Sequence, residues 1–134
     1  MRHLPANFFV YLASPYAKYA AGHDAAAADV GRIAAALMRA GIATFCPIAM
    51  GHAIARENPL PETHEFWMGL DRPFTHAASI CVVALIPGWQ ESRGVMEQIE
   101  TMIRLGKPVR FLPPDFAEKA TPQELLNWLR AGLS

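Results

Sequence analysis

Between Trp89 and Pro108 the chain reads WQESRGVMEQIETMIRLGKP, and here side chains able to do chemistry sit close together. Ser92 and Gly94 open an amphipathic helix just past the apolar strand Ile80–Leu85 and its turn Pro87-Gly88-Trp89. A hydroxyl and a glycine at a helix start make a small anion pocket, because free N–H groups and the positive end of the helix dipole point at the ligand. Such a pocket suits a phosphorylated or sugar ligand. One turn further on lie Glu97, Gln98 and Glu100. Val95, Ile99, Met102 and Ile103 form the expected buried stripe, with Gln98 on its flank. Glu97, Glu100 and Arg104 then read as a solvated face with an ion pair between 100 and 104.

Other candidates lie far away in the chain. Tyr11, in the first apolar strand, is by default a core aromatic with a satisfied hydroxyl. Asp71 sits among Phe66, Trp67, Leu70 and Phe74; an acid there either pairs with Arg72 or Arg56 or faces a pocket. Ser14, Pro15 and Tyr16 leave the first strand and are ligand-contact candidates, as is His52, which follows the second. Ser92 is a good N-cap with or without a ligand. Trp89 and Trp67 suit stacking on a base, although tryptophans more often simply pack. His64-Glu65 begins like a zinc-protease helix, but position 68 is Met68 rather than histidine, so no metal is expected. Neither a dinucleotide fingerprint nor a P-loop is present, and no cofactor is implied.

The elements that must position these residues alternate between strand and helix. Strands are expected at Phe8–Ala13, Ile42–Cys46, Ser79–Leu85 and Val109–Leu112. Helices are expected from an Asp24 cap to about Ala40, over Glu62–Ala77 with a kink or early end at Pro73, from Ser92 to Gly106, and after Thr121, where Thr121-Pro122-Gln123-Glu124 is a capping box. Residues 47–61, with three prolines and Gly51, read as a loop holding at most a turn of helix around Ile54. Uniformly apolar strands separated by helices imply a parallel sheet covered on both faces. The fold class is therefore α/β, a flavodoxin-like (Rossmann-like) three-layer sandwich with four to five strands. Ligands on such sheets bind at the carboxyl ends of the strands, where Tyr11–Tyr16, Pro47–His52 and Pro87–Gly94 should converge.

Composition agrees with a single globular domain. The 134 residues are 52% hydrophobic, and 12 basic residues balance 12 acidic ones, which argues against a nucleic-acid polymer or an anionic membrane as partner. Cys46 and Cys81 read as buried free thiols of a cytoplasmic protein. No apolar run reaches the length of a membrane span.

The same segments resemble the nucleoside 2-deoxyribosyltransferase-like superfamily and, more closely, its DUF1937 branch. The resemblance is carried by VYLASPY (Val10–Tyr16), AALMRAG (Ala35–Gly41), FCPIAMGHAIA (Phe45–Ala55), FWMGLDRPF (Phe66–Phe74), LIPGWQESRGV (Leu85–Val95) and LGKPVRFL (Leu105–Leu112), and it covers roughly residues 8 to 113. It implies N-glycosidic bond cleavage of a nucleoside or nucleotide: a helix glutamate attacks the anomeric carbon, a strand tyrosine positions it, and an aspartate on the preceding helix contacts the sugar or aids proton transfer. By position the tyrosine is Tyr11 and the aspartate Asp71. The turn serine is Ser92, with Gly94 two residues on, which leans toward a phosphorylated ligand. The nucleophile's position falls on Gln98. Glu97 could replace it only through a one-residue shift of the helix, since neighbouring residues point roughly 100° apart. The two readings are thus a hydrolase or deoxyribosyltransferase using Glu97, and a non-catalytic nucleotide or sugar-phosphate binding protein with Gln98 in the nucleophile's place. A weaker third is hydrolysis by water with Asp71 as base. The resemblance also implies a homo-oligomer, and the apolar, tryptophan-bearing segment Phe66–Phe74 is the expected interface.

Overall fold

The computed structural model describes residues 4–133. In chain order its elements are β1 (Val10–Ala13), α1 (His23–Arg39), β2 (Thr44–Phe45), α2 (Pro47–Glu57), α3 (His64–Ala77), β3 (Ile80–Ala84), α4 (Arg93–Arg104), β4 (Val109–Leu112), α5 (Pro114–Lys119) and α6 (Pro122–Ala131). The four strands form one parallel sheet in the order β2-β1-β3-β4, with Tyr11 level with Phe45 on one side and Cys81 on the other.

Successive strand side chains point to opposite faces, and this alternation sorts the apolar residues into two cores. Val10, Leu12, Ile80, Val82 and Ala84 pack against Val30, Ile33 and Leu37 of α1 and Leu125 and Leu129 of α6. Tyr11, Ala13, Cys81 and Val83 pack against Val95 and Met102 of α4. The result is the expected flavodoxin-like three-layer α/β sandwich. Leu12, Ile33 and Ile80 are fully buried, and each such side chain contributes roughly 1.5–3 kcal/mol.

Several elements differ from the sequence reading. Residues 47–57 form a full helix, α2, because Pro47 occupies its first turn, where a missing N–H costs nothing. That helix packs closely on α3: a Cβ on Gly51 would lie 3.0 Å from the Trp67 ring. Helix α1 begins one residue before Asp24, with Gly22 at its cap at φ 98°, so Asp24 falls in the first turn and its carboxylate is left for another partner. Helix α3 runs through Pro73 to Ala77, and its cap is Thr63, whose side chain accepts the N–H of Phe66. The short helix α5 follows β4 in a stretch that sequence patterning had not marked. Ile103, assigned to the buried stripe of α4, is 65% exposed. The capping box at Thr121 and Glu124 forms as expected.

The winding fixes the topological switch point of the sheet. From β1 the chain goes to β2 on one side and then crosses to β3 on the other, which puts the topological switch point between β1 and β3. Open parallel sheets bind ligands at the carboxyl ends of the strands flanking such a point. The segments leaving those two ends are 14–22 and 85–92.

Candidate functional site

Tyr11, Asp71, Thr75 and Gln98 meet on the α3–α4 face of the sheet. Tyr11 reaches that face because it alternates with Val10 and Leu12, and it is only 2% exposed. Gln98 lies one turn beyond Val95 on the inner side of α4 and is 4% exposed. Its Nε2 donates to the Tyr11 hydroxyl at 2.9 Å, and its Oε1 accepts from the Thr75 hydroxyl at 2.8 Å. The Tyr11 hydroxyl in turn donates to the Asp71 carboxylate. Each polar group in this buried chain is matched, as a low-dielectric interior requires. The amide orientation follows from the network: a phenol donating to a carboxylate can only accept from Gln98.

The electrostatics follow from burial. Burial, and then the neighbouring Asp71 charge, raise the Tyr11 phenol well above its ordinary value, so it stays protonated and acts as donor. Burial likewise pushes the Asp71 carboxyl up to about 6, against the stabilising hydrogen bond from Tyr11. Among the described residues neither Arg72 nor Arg56 forms an ion pair with Asp71, so of the two readings open to this acid the structural pairing is not made.

Glu97 faces elsewhere. Its Oε2 lies 2.9 Å from Nε2 of His64, and its Oε1 accepts from Nε of Arg93 at 3.3 Å. The contact with His64, more than that with Arg93, holds the carboxyl below its usual range. Helix α4 is continuous from Arg93 to Arg104, and the shift needed to turn Glu97 toward Tyr11 is not present. The ion pair expected between Glu100 and Arg104 is replaced by Arg104 donating to Thr101. A groove of about 230 Å³ between α3 and α4 reaches Thr75 and Gln98 from outside, past Arg72, Arg104 and Glu97.

At the crevice, a left-handed Gly88 (φ 85°) and a 3-10 turn at Trp89–Glu91 lead the chain into α4. The Ser92 side chain accepts the Val95 N–H at 3.2 Å, so the cap reading holds, and its own hydroxyl proton is left free to donate. A Cβ on Gly94 would meet only Ser92 Oγ, at 4.0 Å, so internal packing does not demand a glycine there. Ser14, at the end of β1, is 7% exposed, and its hydroxyl is buried without a partner. Pro15 is buried beside it. Trp89 spends its ring on packing against Phe111, at 5.5 Å between centroids. Trp67 donates its indole N–H to the Pro61 carbonyl.

Tyr16 and His52 form a second polar group, separate from the Tyr11 network in their hydrogen bonds. The Tyr16 hydroxyl lies 2.7 Å from His52 Nδ1, and His52 Nε2 lies 2.7 Å from Asp24 Oδ1. Sequence reasoning found Tyr16 and His52 singly but missed their bond to each other and the bond from His52 to Asp24, and it missed Thr75. Thr75 stands four residues after Asp71 and so on the same helix face, which is the signal that points to it. Burial raises both thiols, Cys81 to about 12, and leaves them as core residues.

No helix among the described residues is long and apolar enough to cross a membrane. Among the same residues no three His, Cys, Asp or Glu side chains gather closely enough to hold a metal ion. No curated protein matches the chain. Residues 9–113 match the model of the domain of unknown function DUF1937, and the chain, with its parallel sheet and its Tyr11–Gln98 network, belongs to the DUF1937 family.

Proposed function

We propose that the protein binds a nucleoside or nucleotide at the carboxyl ends of β1 and β3 and does not form a covalent glycosyl-enzyme. On this reading it is a nucleoside 2-deoxyribosyltransferase-like scaffold with an amide in the nucleophile's place. The supporting observation is the state of the two helix residues. Gln98 is buried and bonded at both ends of its amide, while Glu97 is held outward by His64 and Arg93. An amide carries no charge to attack an anomeric carbon. Binding needs neither residue to react. The N-terminus of α4, the free proton of Ser92 and the unpartnered hydroxyl of Ser14 suit a ligand rich in phosphate and sugar oxygens. The test is calorimetric titration with nucleosides and their 5′-monophosphates. Saturable binding that persists in Glu97→Ala supports the reading, and the absence of binding by any of them refutes it.

A second reading is favoured by Asp71. With its carboxyl pushed up to about 6, it is matched to proton transfer near neutral pH, and as base for a water molecule it would support slow hydrolysis without any glutamate. Free base released by the native protein and by Glu97→Ala, but not by Asp71→Asn, identifies that mechanism. The proposal extends to a homo-oligomer of cytoplasmic location. Helix α3 leaves Leu70 half exposed and Phe74 42% exposed, an apolar face suited to a second copy of this chain.

A further inference from the structure

We propose that Tyr16, held by His52 and Asp24, is the specificity residue of the crevice and selects ligands carrying an amino group, such as the exocyclic amine of adenine or cytosine. The proposal rests on the nucleotide-binding reading above. It starts from a chain of two short hydrogen bonds, Tyr16 Oη to His52 Nδ1 and His52 Nε2 to Asp24 Oδ1, each 2.7 Å.

The direction of each bond follows from its last member. A carboxylate only accepts, so Asp24 assigns the proton of a neutral imidazole to Nε2. Nδ1 is then an acceptor, and the bond to it must use the single proton of the Tyr16 hydroxyl. What remains on that oxygen is lone pairs. Toward a ligand Tyr16 therefore presents an acceptor only, whereas an unrestrained tyrosine would offer either role. A ligand amine satisfies it, and a ligand carbonyl meets it lone pair to lone pair.

Tyr16 is also held in place. The His23 ring stacks on it at 4.2 Å with an interplanar angle of 17°, and His52 meets it nearly edge-on. Three elements thus fix one phenol: the segment after β1, the first turn of α1, and α2. That is more support than a half-buried surface tyrosine needs for packing, and it is what a residue of defined polarity requires. The position fits too. Tyr16 lies two residues beyond Ser14, whose buried hydroxyl has no partner, in the segment leaving β1 at the topological switch point.

The experiment is calorimetric titration at pH 8 with two matched pairs, AMP against IMP and CMP against UMP, each pair exchanging an amino group for a carbonyl. The expected result is affinity about tenfold higher for AMP and CMP than for their partners. Tyr16→Phe, which keeps the ring, should bring each pair within about twofold. His52→Ala frees the phenol proton and should narrow or reverse the preference. Equal affinity within both pairs for the native protein overturns the inference and leaves nucleotide binding standing. A preference unchanged in Tyr16→Phe or His52→Ala also overturns it. Failure of all four nucleotides to bind overturns the binding reading, and this inference with it.

Discussion

At the scale of single residues, the amide of Gln98 is the centre of the buried polar network. It ties Tyr11 on the central strand to Thr75 on α3, and its loss removes one of the two partners of each buried hydroxyl. Gln98→Ala should therefore cost about 1–3 kcal/mol of stability, measured by urea unfolding. Glu97→Ala removes a partly buried contact with His64 and an exposed one with Arg93 and should change stability by about 1 kcal/mol. Asp71 gives a pH signature. Its carboxyl is raised in the fold from 3.8 to about 6, so the native state holds its proton more tightly than the unfolded chain does. The associated stability is full below about pH 4 and is lost as pH rises through about 6. Asp71→Asn removes that loss, and its Tm relative to the native protein should rise between pH 4 and pH 8. After allowance for solvent screening at this partly exposed group, the gain is about 1 kcal/mol.

At the scale of elements, α4 combines a cap, a buried amide and an outer acidic face within twelve residues. Ser92→Ala should cost about 1 kcal/mol in thermal or urea unfolding through the lost cap. On the proposed reading it should also weaken a nucleoside monophosphate more than the matching nucleoside in calorimetry. Much of this helix was legible in the sequence, because Ser92 and Gly106 bracket it and a 3.6-residue period fixes which side chains share a face. That period placed Gln98 rather than Glu97 against the core, and the continuous helix agrees. It misassigned Ile103, because periodicity gives a direction around a helix but not whether a neighbour covers it. Helix α2 was hidden by its own punctuation: Pro47, Gly51 and the prolines that follow read as a loop, although Pro47 stands where a helix tolerates proline. The Asp24–His52 bond spans 28 residues and depends on α1 starting at His23, so no local pattern reveals it.

At the scale of the whole molecule, a four-stranded parallel sheet with both faces covered brings residues 11, 71, 75 and 98 into one network. Uniformly apolar strands separated by helices were sufficient to foresee the covered parallel sheet, but not the place of Thr75 in the network. The strand order followed only from the fold, since each strand is apolar on both sides and carries no mark of its neighbour. The exposed Leu70 and Phe74 on α3 make self-association an expected property. Sedimentation of the native protein should show a dimer or larger species, and Leu70→Arg should shift it toward monomer; a native monomer at all concentrations would count against the α3 face as an interface.

The measurement to make first is release of free base from nucleoside and deoxynucleoside 5′-monophosphates, with native protein, Glu97→Ala and Gln98→Glu side by side. The expected result is no release by the native protein or Glu97→Ala, although a nucleotide raises the Tm of both, and measurable release once Gln98→Glu supplies a carboxylate beside Tyr11. Release by the native protein that disappears in Glu97→Ala would contradict it, and would make Glu97 the nucleophile.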